Sequence, residues 1–164
     1  MTDPDPHRTL AGAIAAEHDA WRALIAEVGE DRMNEPGPMG EWTFRDLMVH
    51  LLGWRERTIA RLEAVADGRP DPADPCPADL ADDDAVNDWI QADGADRPVR
   101  EVLDAADASY DRLAAALAAV PAAILTDPHA ITWLDGVAAV HVDWLSHLHD
   151  EHDPSIRQWL ATRA

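Results

Sequence analysis

Lysine is absent from the chain: all thirteen basic residues are arginine. That absence excludes a phosphate-loop lysine, a Schiff-base lysine and a lysine general base. Cysteine occurs once, at Cys76, so no internal disulfide can form. No basic residue stands close to Cys76 in sequence to lower the pKa of its thiol. No apolar run reaches the roughly 20 residues of a membrane-spanning helix. The stretch Met1 to Arg8 is polar and has no signal-peptide core, so the expected compartment is the cytoplasm. β-branched and aromatic residues are few: apart from seven tryptophans, only Phe44 and Tyr110 are aromatic. That scarcity, against abundant Ala, Leu, Glu and Arg, favours helix over strand.

What is present is acid. The net charge is −19. Such a surface repels phosphate backbones and anionic membranes, so neither nucleic acid nor a membrane is an expected partner. With 164 residues, 47% of them hydrophobic, the chain has the size of one domain, 1–164, and can build its own core.

Helical periodicity organises that domain. Leu10, Ile14, Trp21, Leu24, Ile25 and Val28 mark a first helix over about Thr9 to Val28, with Glu17 on the same stripe. Residues 29–41, rich in Gly and Pro, read as a loop. Thr43 and Asp46 form a capping-box pattern that opens a second helix running to about Asp67, with Gly68 beyond its end. Pro70, Pro72, Pro75 and Pro77 make residues 69–82 a long crossover loop. A short helix is expected near Asp84 to Ala92. A third long helix runs from Pro98 to Pro121, and residues 121–131 form a second loop. A fourth long helix is expected from about Thr132 to Glu151, with a short terminal helix after Asp153-Pro154. The pattern is an all-α, up-down four-helix bundle with a long crossover and short extra helices.

Eight histidines carry what chemistry the sequence offers. His7 and His129 read as loop residues. His50 stands mid-stripe on the second helix, where a packing residue such as Leu would otherwise be expected. It is a candidate metal ligand or catalytic base facing the interior. The fourth helix ends His147-Leu148-His149-Asp150-Glu151-His152. His147 and Glu151 are four apart and His149 and His152 three apart, so each pair can present two ligands to one ion. The pairs project in different directions, and His147 with Glu151 is the expected partner of His50. Three ligands and one open position would suit a catalytic divalent metal, with Glu151 also orienting water. Trp42, Trp54 and Trp144 are expected to wall the cavity, with His141 core-facing beside them. The alternative is a solvated helix end and a bundle without a working site.

The stretch Gly40-Glu41-Trp42-Thr43-Phe44-Arg45-Asp46-Leu47-Met48-Val49-His50-Leu51-Leu52-Gly53-Trp54 resembles the helix-two signature of the DinB-like superfamily. Val86-Asn87-Asp88-Trp89-Ile90, Asp96-Arg97-Pro98 and the ending His147 to Leu160 resemble its ClbS/DfsB branch, which is related to the thiol-dependent maleylpyruvate isomerase domain. The resemblance implies a YfiT-like bundle, often dimeric. It also implies a divalent metal, zinc or nickel, held by the helix-two His and a pair on the last long helix. That pair is His-x3-His in many members and Glu-x3-His in the isomerase branch. Only His50 carries over position by position, since the residue four before His152 is Leu148. The implied function is a hydrolase or transferase acting on a small, reactive electrophilic metabolite in detoxification or self-protection. The competing readings are a bundle that only sequesters a small ligand and a dimeric structural protein.

Overall fold

The computed structural model describes residues 5–69 and 72–162. Met1 to Pro4 of the polar N-terminal stretch, and Pro70 of the crossover, lie outside the described residues. The chain forms an all-α bundle with one small hairpin. Helix α1 spans Pro6–Val28, opened by an Asp5 side chain that accepts from the His7 N–H. A 3-10 turn at Glu30–Arg32 leads into a small antiparallel hairpin, β1 (Pro36–Met39) and β2 (Trp42–Thr43). Helix α2 spans Phe44–Ala66, α3 Asp83–Gly94, α4 Val99–Ala119 and α5 Ala122–Thr126. Helix α6 spans Asp153–Ala161.

The expected capping box opens α2: Thr43 accepts from the Asp46 N–H, and Asp46 accepts from the Thr43 N–H. Gly68 follows α2 with φ 84°, where a side chain would be strained. Residues 29–41 are not wholly loop. The turn at Gly40 (φ 69°) closes the hairpin, and α6 packs on it through a Trp159 indole N–H that donates to the Pro36 carbonyl at 3.2 Å. His7 lies in the first turn of α1 rather than in a loop, its ring 2.9 Å from the Val120 carbonyl. The segment 121–131 likewise contains α5.

The core runs between α1, α2 and α4, where Phe44, Leu47, Ile59, Leu62, Tyr110, Leu113 and Leu117 are fully buried. Helix α3 lies close on α2 because Gly53 faces Ile90 and Gly94 faces Val49. The Arg45 guanidinium donates to the carbonyls of Gly94, Ala95 and Arg97 at 2.6–2.9 Å, filling the acceptors left at the α3 C-terminus.

The expectation of a continuous fourth helix from Thr132 to Glu151 is corrected. The segment instead makes 3-10 turns at Thr132–Leu134 and Ala139–His141, then a π-helical turn at Leu148–His152 that runs into α6. Asp135 with φ 49° and Gly136 with φ 83° break the helix. An Asp-Gly dipeptide is a turn signal, and the apolar periodicity on either side masks it. Val137, directly after the break, is exposed.

Candidate metal centre

The π-helical turn determines which histidines meet. Its backbone bond runs from the Asp153 N–H back five residues to the Leu148 carbonyl. In an α-helix, positions five apart point to different sides; in a π-turn they are stacked. His147 and His152 therefore face the same way, with ring centroids 4.9 Å apart. His50, on the buried face of α2, points at both, its centroid 4.8 Å from that of His147 and 5.3 Å from that of His152.

Each of the three imidazoles offers one ligand nitrogen, and those nitrogens lie within 4.8 Å of one another. His50 Nε2 is 3.1 Å from His147 Nε2. His152 Nδ1 is 3.1 Å from Met39 Sδ on the hairpin, while its Nε2 is buried with no hydrogen-bond partner. With the ring hydrogen on Nδ1, that Nε2 keeps an unshared lone pair. Burial, reinforced by His147 and His152, lowers the His50 imidazole to about 4. Burial and His147 lower His152 to about 4 as well. Both rings are therefore neutral near pH 7, the form in which imidazole binds metal. The orphaned His152 nitrogen and the all-nitrogen donor set fit zinc or nickel.

A cavity of about 350 Å³ opens onto the cluster. Trp42 and Trp54 wall it, and Asp83 and Asn87 of α3 close one side. The Trp54 indole is fixed by donating to Asn87 Oδ1 at 2.8 Å. Glu151 lines the mouth, two-thirds exposed, with Oε2 3.5 Å from His147 Nε2. It stands beside the three histidines rather than among them. Of the four expected ligands, His50, His147 and His152 lie together and Glu151 stands at their edge, so the cluster takes one histidine from each expected pair. His149 points away and pairs with Glu17 of α1, which gives that carboxylate a partner outside the cavity. His141 is exposed rather than core-facing. Trp144 lies in a neighbouring cavity, its indole donating to the Ala139 carbonyl at 3.1 Å.

Met39, Asp83 and Asn87 were not legible as site residues, because loop and helix packing bring them in. His18 was also passed over. It is buried on α1, stacked on Tyr110 at 4.4 Å with its Nε2 2.8 Å from Asp107 Oδ1. Cys76 is half-buried, and burial together with Asp74 pushes its thiol up, away from nucleophilic use.

An all-α bundle in which α2 and the π-turn leading into α6 converge three imidazoles on one cavity is a DinB-like protein with a candidate metal centre. The family model described as the mycothiol maleylpyruvate isomerase N-terminal domain matches residues 14–152, and the chain belongs to that family. Two proteins of Mycobacterium tuberculosis, Uncharacterized protein MT0763 (strain CDC 1551 / Oshkosh) and Uncharacterized protein Rv0738 (strain ATCC 25618 / H37Rv), are each 44% identical over 39 residues. Those matches span 24% of this chain and 21% of each relative. No solved structure shows a significant match. Among the described residues, no helix is long and apolar enough to cross a membrane.

Proposed function

We propose that the chain is a metal-assisted hydrolase or transferase of small electrophilic metabolites, with zinc or nickel held by His50, His147 and His152. The observation that carries this reading is the convergence of three imidazole nitrogens within 4.8 Å at a cavity large enough for a small molecule. When bound, a divalent ion supplies Lewis acidity at the coordination position that three protein ligands leave open. The chain's own residues do the rest. Trp42 and Trp54 stack on the substrate and exclude water. The Glu151 carboxylate at the mouth takes the proton that the attacking water or thiol releases. The new bond forms at the electrophilic carbon as the strained or leaving bond breaks. Because the family's description includes mycothiol, a low-molecular-weight thiol is the cosubstrate to test first.

Metal analysis of freshly purified protein tests the reading. About one zinc or nickel per chain is expected, and H50A should retain none. Protein that carries no metal, and takes up none on incubation with either ion, would remove the mechanism.

A further inference from the structure

The wall of the metal-centre cavity carries two carboxylates, Asp83 and Glu151, and no arginine. His50 and His152 are uncharged near pH 7 and offset neither. In a chain of net charge −19, the surrounding surface does not cancel them from a distance. Asp83 is exposed in the first turn of α3, and among the described residues no cation lies within ion-pair distance of it. Arg57, which stacks on Trp54 from 4.9 Å, is paired with Asp74.

Aromatic rings elsewhere in the molecule show what is missing at this wall. Arg32 stacks on Trp159, Arg55 on Tyr110, Arg57 on Trp54 and Arg61 on Trp133, each guanidinium 3.9–4.9 Å from the ring centroid. Trp42, half-buried on β2 at the cavity, carries no such cation among the described residues. The cavity is also left open to a ligand by its polar atoms. His50 and His152 are each 4% exposed, and His50 Nδ1 and His152 Nε2 have no hydrogen-bond partner. Buried polar atoms without partners mark a place where a ligand completes the structure. An indole face beside an unpaired carboxylate is a receptor for an organic cation.

We propose that the mouth of this cavity binds the ammonium end of an amine-bearing substrate, with the Asp83 carboxylate pairing the charge and the Trp42 indole stacking on it. Glu151 adds to the negative field there. The inference rests on the proposed function and names its substrate class: an electrophile with a protonated amine at the end away from the reacting carbon. Because Asp83 is exposed, the ammonium sits at the rim, where water screens it from an ion held among the imidazoles.

Calorimetry near pH 7 with benzylammonium, against benzyl alcohol as its neutral counterpart, tests the assignment on protein stripped of metal by chelation. Benzylammonium should bind, and benzyl alcohol at least about tenfold more weakly, the loss expected when an ion pair and a cation–π contact go together. D83N should weaken benzylammonium about fivefold and leave zinc retention unchanged. W42L should weaken benzylammonium more than benzyl alcohol. E63Q removes the same charge from an exposed α2 residue that does not line the cavity, and should leave binding unchanged. H50A should lose zinc yet still bind benzylammonium, so failure of the metal centre and failure of the ammonium site are read separately. No benzylammonium binding, equal affinity for benzyl alcohol, or a D83N protein that binds as the wild type does would each overturn the proposal. So would an E63Q protein weakened as much as D83N, because the cation would then answer only to the diffuse charge of the surface. Binding that disappears when zinc is restored would overturn it too, since a substrate must bind beside the metal.

Discussion

His147 and His152 stand five positions apart in sequence with ring centroids 4.9 Å apart. A regular α-helix would turn the second ring by about 140° from the first, off the shared face. The π-turn at Leu148–His152 takes up one extra residue and brings the rings back together. The spacing is then one residue longer than the His-x3-His pattern that many DinB-like proteins carry.

Removing that extra residue tests the relationship. Asp150 is exposed and is not among the residues that line the cavity. Deleting it leaves the two histidines four apart, which in α-helical register is about 40° of rotation and the same face. The deletion variant is expected to retain zinc, with the turn relaxed to α-helix. Inserting an alanine after Asp150 spaces the histidines six apart and should abolish retention. Equal zinc content in both variants, read by elemental analysis, would show that the π-turn does not set the site.

How far the sequence revealed this site follows from the same turn. His50 was legible because a polar residue interrupts an otherwise apolar stripe whose period is unambiguous. Helix ends were legible where a cap or breaker stood at the boundary, as at Thr43, Gly68 and Pro121. The last helix was not, because alternating apolar residues from Val137 to Leu148 imitate an amphipathic face. The Asp135-Gly136 turn just before that stretch carries the contrary signal. Pairing by three or four residues is the rule for α-helices, and nothing in the residue types announces a π-turn. The hairpin that brings Met39 and Trp42 to the cavity had only Gly and Pro to signal it, and these also mark plain loops.

The pairs read from α-helical spacing make a second test. His149 bonds to Glu17 on α1, across from the cluster, and His141 is exposed. H149A and H141A are therefore expected to keep full zinc content, whereas H147A and H152A should each lose it. The His149–Glu17 pair lies near the surface, so H149A should cost no more than about 1 kcal/mol in urea unfolding. Zinc loss in H149A with retention in H147A would place the metal on the other face.

Asp107 supplies a pH dependence. Its hydrogen bonds from Arg22, and then from His18, hold the carboxyl below its ordinary value. Arg22 also faces Asp19 and Asp111, which reinforce its positive charge. A carboxyl whose folded pKa is depressed binds fewer protons in the folded state than in the unfolded one. Its stabilisation is therefore complete above the unfolded value of about 3.9, and disappears as pH falls through the lower folded value. D107N removes the charge and keeps a carbonyl acceptor for His18. Wild type should melt higher than D107N near neutrality, and the gap should narrow only below about pH 4. A gap that is unchanged at pH 3 would mean that the stabilisation does not come from the ionised Asp107 carboxylate.

Two glycines test how α3 comes to line the cavity, against a third that serves as control. A Cβ on Gly53 would lie 2.5 Å from Ile90 Cγ2, and one on Gly94 would lie 2.3 Å from Val49 Cγ1. Ile90 and Val49 are both buried, so neither can swing aside into solvent. G53A and G94A must therefore push α3 away from α2, at a cost of about 1–3 kcal/mol each, typical of overpacking in a close-packed interior. Gly12, exposed in the middle of α1, has nothing within 4 Å of an added Cβ. There the same substitution reduces unfolded-state freedom without strain, and G12A should stabilise by about 0.5–1 kcal/mol. Urea unfolding of the three variants gives opposite signs if the close approach is real. Because Asn87 on α3 anchors the Trp54 indole, displacement of that helix should also alter tryptophan emission in G53A and G94A, and leave it unchanged in G12A. Stability equal to wild type in both crowded variants would show that α3 is not seated on α2 through these glycines.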